Sequence, residues 1–261
     1  MINLFSKSKG YFTAGLSLCF LVAAGLLHDH KPWYAILAIT LTGVFLSWLI
    51  ASISAFMLHR RILNLFYAQL NPHDFIAVYQ PLLRKANIRK NILFTMKCYL
   101  SNAYAAEGQY QKALAVLDSV PVFTGKKRRQ CEAILAGNRC ELYCAQEMPG
   151  AAREEYLKLE ELVSAGEVSQ KPILDLLQVK IHLLEGKATK EDYEVVRGLL
   201  SPTATRYYQL TVKYLLGRFN EQLGEIAFAR AYYSEVAKAA PQIAVASNAA
   251  KRLEELPDTA E

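Results

Sequence analysis

Cys140 and Cys144 stand one helical turn apart, a spacing that suits a shared metal or a redox pair on one helix face. No histidine lies close to them in sequence. The five cysteines, Cys19, Cys98, Cys131, Cys140 and Cys144, form an odd set without a CxxC pair. That excludes a conventional disulfide framework and favours small apolar packing residues in a reducing compartment. His28 and His30 could together hold a metal from a turn, but two histidines in a wet turn are read here as unliganded. His182 falls on an apolar helical stretch and is read as packed. Glu154-Glu155 and Glu160-Glu161 alternate with Arg153 and Lys158, the pattern of a solvated helix face. No Walker loop, GxSxG elbow, HExxH or dinucleotide fingerprint is present. The chain therefore reads as a protein without catalytic, cofactor or metal residues. A redox or metal sensor built on Cys140 and Cys144 is the third of three functional readings.

The elements that would position any binding group are best written between Phe94 and Pro121. Leu100, Ala103 and Tyr104 are spaced to share one face of a helix. Gly108 ends it, because glycine enters the left-handed region without steric cost. Tyr110, Ala113, Leu114 and Leu117 then form a second apolar stripe, and Pro121 stops its continuation. The short link makes the two an antiparallel hairpin.

Ser101, Tyr104, Gly108, Tyr110, Ala113 and Leu117 resemble the tetratricopeptide repeat, in which a small residue, a tyrosine, a turn glycine and then an alanine recur. A second unit carries Leu216, Gly217, Gly224, Ala229, Tyr233 and Pro241, with Asn220 where tyrosine is usual. Between them lie two more divergent units. One has Cys140, Tyr143, Ala152 and Tyr156, with Pro149-Gly150 near its turn; the other keeps Gly186 but lacks the alanine. Gly108 and Gly186 are 78 residues apart, two steps of 39, and Gly224 follows 38 later. The family period is about 34, so longer loops such as Phe123 to Arg129 are expected to absorb the surplus.

Ahead of this region the composition changes. The whole chain of 261 residues is 52% hydrophobic with mean hydropathy +0.10 and net charge +6. Before His59, however, the only charges are Lys7, Lys9, Lys31 and Asp29. Spans of about 11–27 and 33–58 are uncharged and long enough to cross a bilayer. His28 to Pro32 can make only a tight turn between them, so 1–58 reads as a transmembrane hairpin. Lys7 and Lys9 before it, and Arg60 and Arg61 after it, place both termini in the cytoplasm by the positive-inside rule. The competing reading is a signal sequence, since Leu16-Ser17-Leu18-Cys19 loosely resembles a lipobox; Leu18 is too large for that role and the apolar run continues past it.

Residues 59–91 read as a divergent connecting helix pair, with Asn71 as a cap and Pro72 opening the second helix. Residues 92–241 are the repeats, and 242–261 a capping helix with a short tail. From His59 to Gln130 there are 12 Lys and Arg against Asp74, Glu107 and Asp118, a net of +9; from Cys131 onward the net is −5. Lys126, Lys127, Arg128 and Arg129 are the candidate membrane-surface residues, since anionic headgroups attract basic clusters. Nucleic acid is a less apt partner for this run, because no aromatics interleave and the acidic distal half would repel a phosphate backbone.

The expected fold is all-α, a two-helix transmembrane hairpin followed by an α-solenoid of helix pairs. The resemblance implies a concave groove that binds a protein or peptide partner. Asn102 and Asn138 match two asparagines with which chaperone-binding members hold a carboxylate, whereas Cys98 and Leu177 replace the basic residues of that clamp. They are therefore candidates for bonding a peptide backbone. Tyr214, Arg218, Glu221 and Gln222 share a helix face and complete the candidate partner-binding set. The expected role is an anchored adaptor or assembly scaffold. The alternative is an accessory subunit of a transport or signalling complex that docks through its membrane hairpin, with Gly15, Gly25, Ser47 and Ser54 as small packing surfaces.

Overall fold

The structure is a computed structural model that describes residues 2–28, 32–84, 88–166 and 171–257. Among these, twelve α-helices and no strand are found. The chain divides into two compact units, 1–64 and 65–261.

The first unit holds α1 (Ile2–His28) and most of α2 (Trp33–Tyr67). Both are long and apolar enough to cross a membrane. Their large apolar side chains face outwards: Leu21 is 70% exposed, Phe56 64% and Trp33 73%. Against one another the two helices pack through small residues. A Cβ built on Gly15 would stand 2.2 Å from Ser47 Oγ, and one on Gly43 would stand 2.3 Å from Cys19 Sγ. Only glycine lets the backbones approach so closely. The connecting residues Asp29, His30 and Lys31 and the side chain of His28 lie outside the described residues, as do the tail residues 258–261.

The second unit begins with the last turn of α2 and a left-handed Leu70 (φ 58°). Asn71 then caps α3 (Pro72–Leu83), accepting the Asp74 backbone N–H at 3.0 Å while Pro72 fills the first turn. Four helix–turn–helix pairs follow: α4 (Lys90–Ala106) with α5 (Tyr110–Asp118), α6 (Lys126–Ala145) with α7 (Pro149–Ser164), α8 (Lys171–Leu184) with α9 (Lys190–Gly198), and α10 (Arg206–Gln222) with α11 (Ile226–Ala239). α12 (Ala244–Glu255) closes the chain.

The four turns share one hydrogen-bond pattern. Gln109 N–H donates to Tyr104 C=O, Met148 to Tyr143, Lys187 to His182 and Glu225 to Asn220, at 2.8–2.9 Å. Each bond closes the helix end around a left-handed residue, as in a Schellman motif. Those residues are Gly108, Glu147, Gly186 and Gly224, with φ of 74°, 56°, 69° and 79°. The second turn thus centres on Glu147, with Pro149 and Gly150 already inside α7. A non-glycine side chain in this region costs about 1–2 kcal/mol, so something distant must hold Glu147 there.

Small residues seat the pairs. Ser101, Cys140 and Gly217 recur one turn before the hydrogen-bond acceptor on the first helices, and Ala113, Ala152 and Ala229 on the second are fully buried. Ser101 Oγ donates to Ala113 C=O at 3.0 Å. Gly217 is pressed against Tyr233, whose ring would lie 2.6 Å from an added Cβ. In the third pair Glu191 stands where alanine would, and α9 buries Val196 while Val195 stays exposed. A capping box between Thr189 and Asp192 starts that helix, and its Val196 packs with Val212, Leu216 and Phe219 of α10.

The 126–129 segment differs from expectation. It is the first turn of α6 and not part of a loop. Gly125 (φ 63°) turns the chain into it, and Arg128 pairs with Glu132 one turn on, at 2.7 Å, which supports the helical conformation.

Within the second unit the first and last elements meet. Phe66 lies against Tyr207, with ring centroids 4.6 Å apart and the planes tilted by 50°. Leu70 belongs to the core of Leu210, Tyr233, Val236 and Ile243, and Gln242 donates to Leu70 C=O at 3.0 Å. Burying such side chains contributes roughly 1.5–3 kcal/mol each.

Candidate functional site

The polar groups of the first helices and of the four turns are the candidates for contact with a partner. Many of them are joined to one another. Glu147 Oε1 accepts Arg218 Nη1 and Arg252 Nη2, both at 2.8 Å. Arg252 Nη1 also reaches Glu221 Oε1 at 3.3 Å, and Tyr233 donates its phenol to Glu221 Oε2 at 2.5 Å. Tyr214 lies against the Tyr233 ring, with centroids 5.8 Å apart. The network therefore ties the turn of the second pair to α10, α11 and α12.

The electrostatics follow from this geometry. Partial burial disfavours the Glu147 carboxylate, but Arg218 and Arg252 outweigh that cost and hold its pKa below the usual range. Tyr233 shifts the other way: burial and then the Glu221 carboxylate raise its phenol well above the ordinary value. The network thus keeps Glu147 ionised between two arginines and the Tyr233 phenol protonated beside Glu221.

The expected contact residues fall into three groups. Tyr214, Arg218 and Glu221 belong to this network, and Gln222 instead donates to Leu183 C=O at 2.6 Å, linking α10 to α8. Asn102 lies beside the Tyr67 phenol and partly offsets the rise that burial gives its pKa. Asn138 is half-buried on α6 and has no hydrogen-bond partner among the described residues. The two asparagines occupy different registers, Asn102 directly after Ser101 and Asn138 two residues before Cys140. The remaining group is the basic run. Lys127 and Arg129 are exposed on the first turn of α6, and the Lys126 side chain lies outside the described residues. Beside the run a cleft of about 590 Å³ opens between α5 and α6, floored by Leu117, Pro121 and Phe123 with Arg128 and Arg139 at its rim. A second basic group of the sequence comprises Arg84, Lys85, Arg89 and Lys90, of which Lys85 lies outside the described residues.

The residues considered for chemistry are committed to structure. Cys140 is fully buried, and its hydrogen bond with Cys144, together with burial, holds the thiol far above its ordinary pKa. A thiol so placed resists becoming a thiolate nucleophile or ligand. Nearby, Lys180 is buried and stays charged despite desolvation because Glu141 pairs with it across α6 and α8. His182 Nδ1 lies 3.1 Å from Asp192 Oδ2, the same carboxylate that accepts the Thr189 N–H in the α9 capping box. Among the described residues no three His, Cys, Asp or Glu side chains cluster to hold a metal.

Glu147 and Arg252 were not singled out by the sequence. Glu147 had a signal that could have found it, since position 147 lies midway between Gly108 and Gly186. Compared with protein-family models, curated proteins and solved structures, the chain matches none, so its role rests on the chemistry of its own residues.

Proposed function

We propose that this protein is a membrane-anchored adaptor or assembly scaffold, with α1 and α2 as a transmembrane hairpin and a tetratricopeptide-like α-solenoid that holds a protein or peptide partner at the cytoplasmic face. The observation that carries the reading is the outward apolar surface of α1 and α2. Of the most apolar stretch of each helix, 6% is buried in α1 and 11% in α2. The core helix of a soluble protein would be covered, so a surface of this kind fits lipid or another apolar partner. The second support is the recurrence of one turn at spacings of 39, 39 and 38 residues in a unit whose polar side chains pair with each other and not around a reactive group.

Both termini lie in the cytoplasm on this reading, following Lys7, Lys9, Arg60 and Arg61. The basic turn Lys126, Lys127, Arg128 and Arg129 faces anionic headgroups. Four cations at the start of a helix oppose its dipole, a local cost that an external anion would offset.

The test is carbonate extraction of native membranes followed by in-cell crosslinking, affinity capture and mass spectrometry. The protein should stay in the pellet, and its crosslinks to partners should arise from the second unit. Release by carbonate would end the membrane reading. Partner crosslinks confined to 1–58 would instead favour the accessory-subunit reading, for which the exposed face of α2, with Phe45, Trp48 and Phe56, is the specific support.

A further inference from the structure

Two basic groups that are far apart in sequence lie at one end of the second unit. Arg89 precedes and Lys90 opens α4, Lys127 stands in the first turn of α6, and all three are exposed. The linker 119–125 joins them. Its start is held by Lys97 of α4, which donates to Ser119 C=O and, at 3.0 Å, to Ser119 Oγ. Its middle is held by Phe123, whose ring meets the buried Phe94 edge-on with centroids 5.7 Å apart. At its end Gly125 turns the chain into α6, where the Arg128 N–H donates to Gly125 C=O at 3.0 Å. The first turn of α4, the linker and the first turn of α6 are therefore neighbours.

Two apolar side chains stand out from this patch. Val122 is 82% exposed, the highest value of any large apolar side chain among the described residues, above even those of α1 and α2, and Ile92 is 49% exposed. Val122 is held in place by its neighbours: Pro121 has a fixed φ, and Phe123 is seated on Phe94. The linker thus presents an apolar tip with cations on both sides. The carboxylates beside it, Asp118 and Glu132, pair with Arg139 and Arg128 at 2.7 Å, so their charge is balanced locally. Apolar tips ringed by cations suit the headgroup layer of an anionic leaflet, where binding grows with the apolar area buried and with attraction to lipid charge. A nucleic acid would answer the cations, but the tips are aliphatic and give its bases no ring to stack on.

We propose that Ile92 and Val122 enter the headgroup boundary of an anionic leaflet while Arg89, Lys90, Lys127 and Arg129 meet its charged lipids, docking this end of the second unit on the membrane surface. The proposal rests on the membrane-anchored reading and extends the lipid contact from the α6 turn to a surface shared by two helices and the linker between them. The charge distribution agrees with it. The net of +9 between His59 and Gln130 draws this part to the leaflet, and the net of −5 from Cys131 onward keeps the remainder away.

The test compares hydrogen exchange of the full chain in nanodiscs of phosphatidylcholine alone and in discs that also contain phosphatidylserine. Amides 89–93 and 120–129 should exchange about fivefold more slowly in the anionic discs, the gain that one cation close to the leaflet brings. Raising the salt to about 1 M should remove the difference, because the screening length falls to about 3 Å. Val122→Ser, and separately Arg89→Gln with Lys90→Gln, should each bring the ratio between the discs toward one, while α10 and α11 exchange as in the wild type. Protection that survives either change would overturn the shared surface and confine lipid contact to the α6 turn. Equal exchange of the wild type in both discs would overturn it outright. Slowing by a single-stranded RNA in phosphatidylcholine discs, with none from phosphatidylserine, would assign the cations to nucleic acid. Carbonate extraction is read separately. A protein that carbonate releases loses the anchored reading even where phosphatidylserine protects the patch, and a carbonate-resistant protein without that protection loses this surface alone.

Discussion

Glu147 and Arg252, separated by 105 residues, meet at 2.8 Å, and the glutamate that makes this contact sits in a left-handed turn where three equivalent positions hold glycine. The two facts explain each other. A glycine at 147 would close the turn with less strain, but it could not reach Arg218 and Arg252. Local strain is kept where a long-range contact needs the side chain, a pattern common at functional positions.

Separating the two terms is possible with two substitutions. Glu147→Gln keeps the strain and loses the charge, and should lower unfolding stability by up to about 1 kcal/mol, since the pairs are partly exposed. Glu147→Gly loses the same pairs but relieves roughly 1 kcal/mol of backbone strain and should fall close to the wild type. Chemical denaturation of the detergent-solubilised protein followed by circular dichroism measures both. A Gly variant clearly less stable than the Gln variant would contradict this account.

Acid should reveal the same carboxylate. Because the folded pKa of Glu147 is held below its ordinary value near 4.5, its contribution is present above that value and is lost as pH falls through the lower folded one. Between pH 5 and pH 3 the wild type should therefore lose more stability than Glu147→Gln, by less than about 1 kcal/mol given solvent screening. Parallel slopes of the two proteins across that interval would show that the arginines do not hold the carboxylate ionised.

Of the described glycines in the second unit, Gly217 has the closest neighbour. Its added Cβ would lie 2.6 Å from the Tyr233 ring, which is fully buried and anchored through its phenol to Glu221. Gly217→Ala should cost about 1–3 kcal/mol by overpacking. Adding Tyr233→Leu should recover part of that loss, a non-additivity visible in a double-mutant cycle. Simple additivity would mean that the ring moves aside freely.

The α1/α2 contact can be captured chemically. A Cβ at position 43 would stand 3.4 Å from Cys19 Cβ, within a few tenths of an ångström of disulfide spacing. With the other four cysteines replaced by serine, Gly43→Cys should form an intramolecular bond to Cys19 on oxidation. A mass loss of two hydrogens without a dimer band would record it, and a shift of the second cysteine to position 44 should abolish it.

The basic turn of α6 predicts an opposite effect in two surroundings. Replacing Lys127 and Arg129 with glutamate places favourable charge at the helix start, worth about 0.3–1 kcal/mol each, and should raise thermal stability in a zwitterionic detergent. In nanodiscs containing phosphatidylserine that gain should shrink or reverse if headgroups occupy the turn. An equal gain in both would leave the run without a lipid role.

Much of the organisation was legible locally. Hydropathy and length marked α1 and α2, because a long run without charge is informative without knowing its neighbours. Gly108, Gly186 and Gly224 marked three turns, since positive φ selects glycine from within its own few residues. Asn71 and Pro72 announced the start of α3 for the same reason. The α6 start was misread as loop because four cations disfavour a helix N-terminus, and only the Glu132 partner and the Gly125 turn show how the helix forms there.

The sequence by itself determined the helices, the period and the oily N-terminal pair, all of which depend on residues within one or two turns of each other. Tertiary structure alone decided that Arg218 and Arg252 hold Glu147 and that Glu221 meets the chain's own α12. It also decided that Leu70 shares a core with Ile243. Those choices are made by contacts across 71, 105 and more than 170 residues, and a contact at such separation leaves no spacing that the chain can display until the helices have packed.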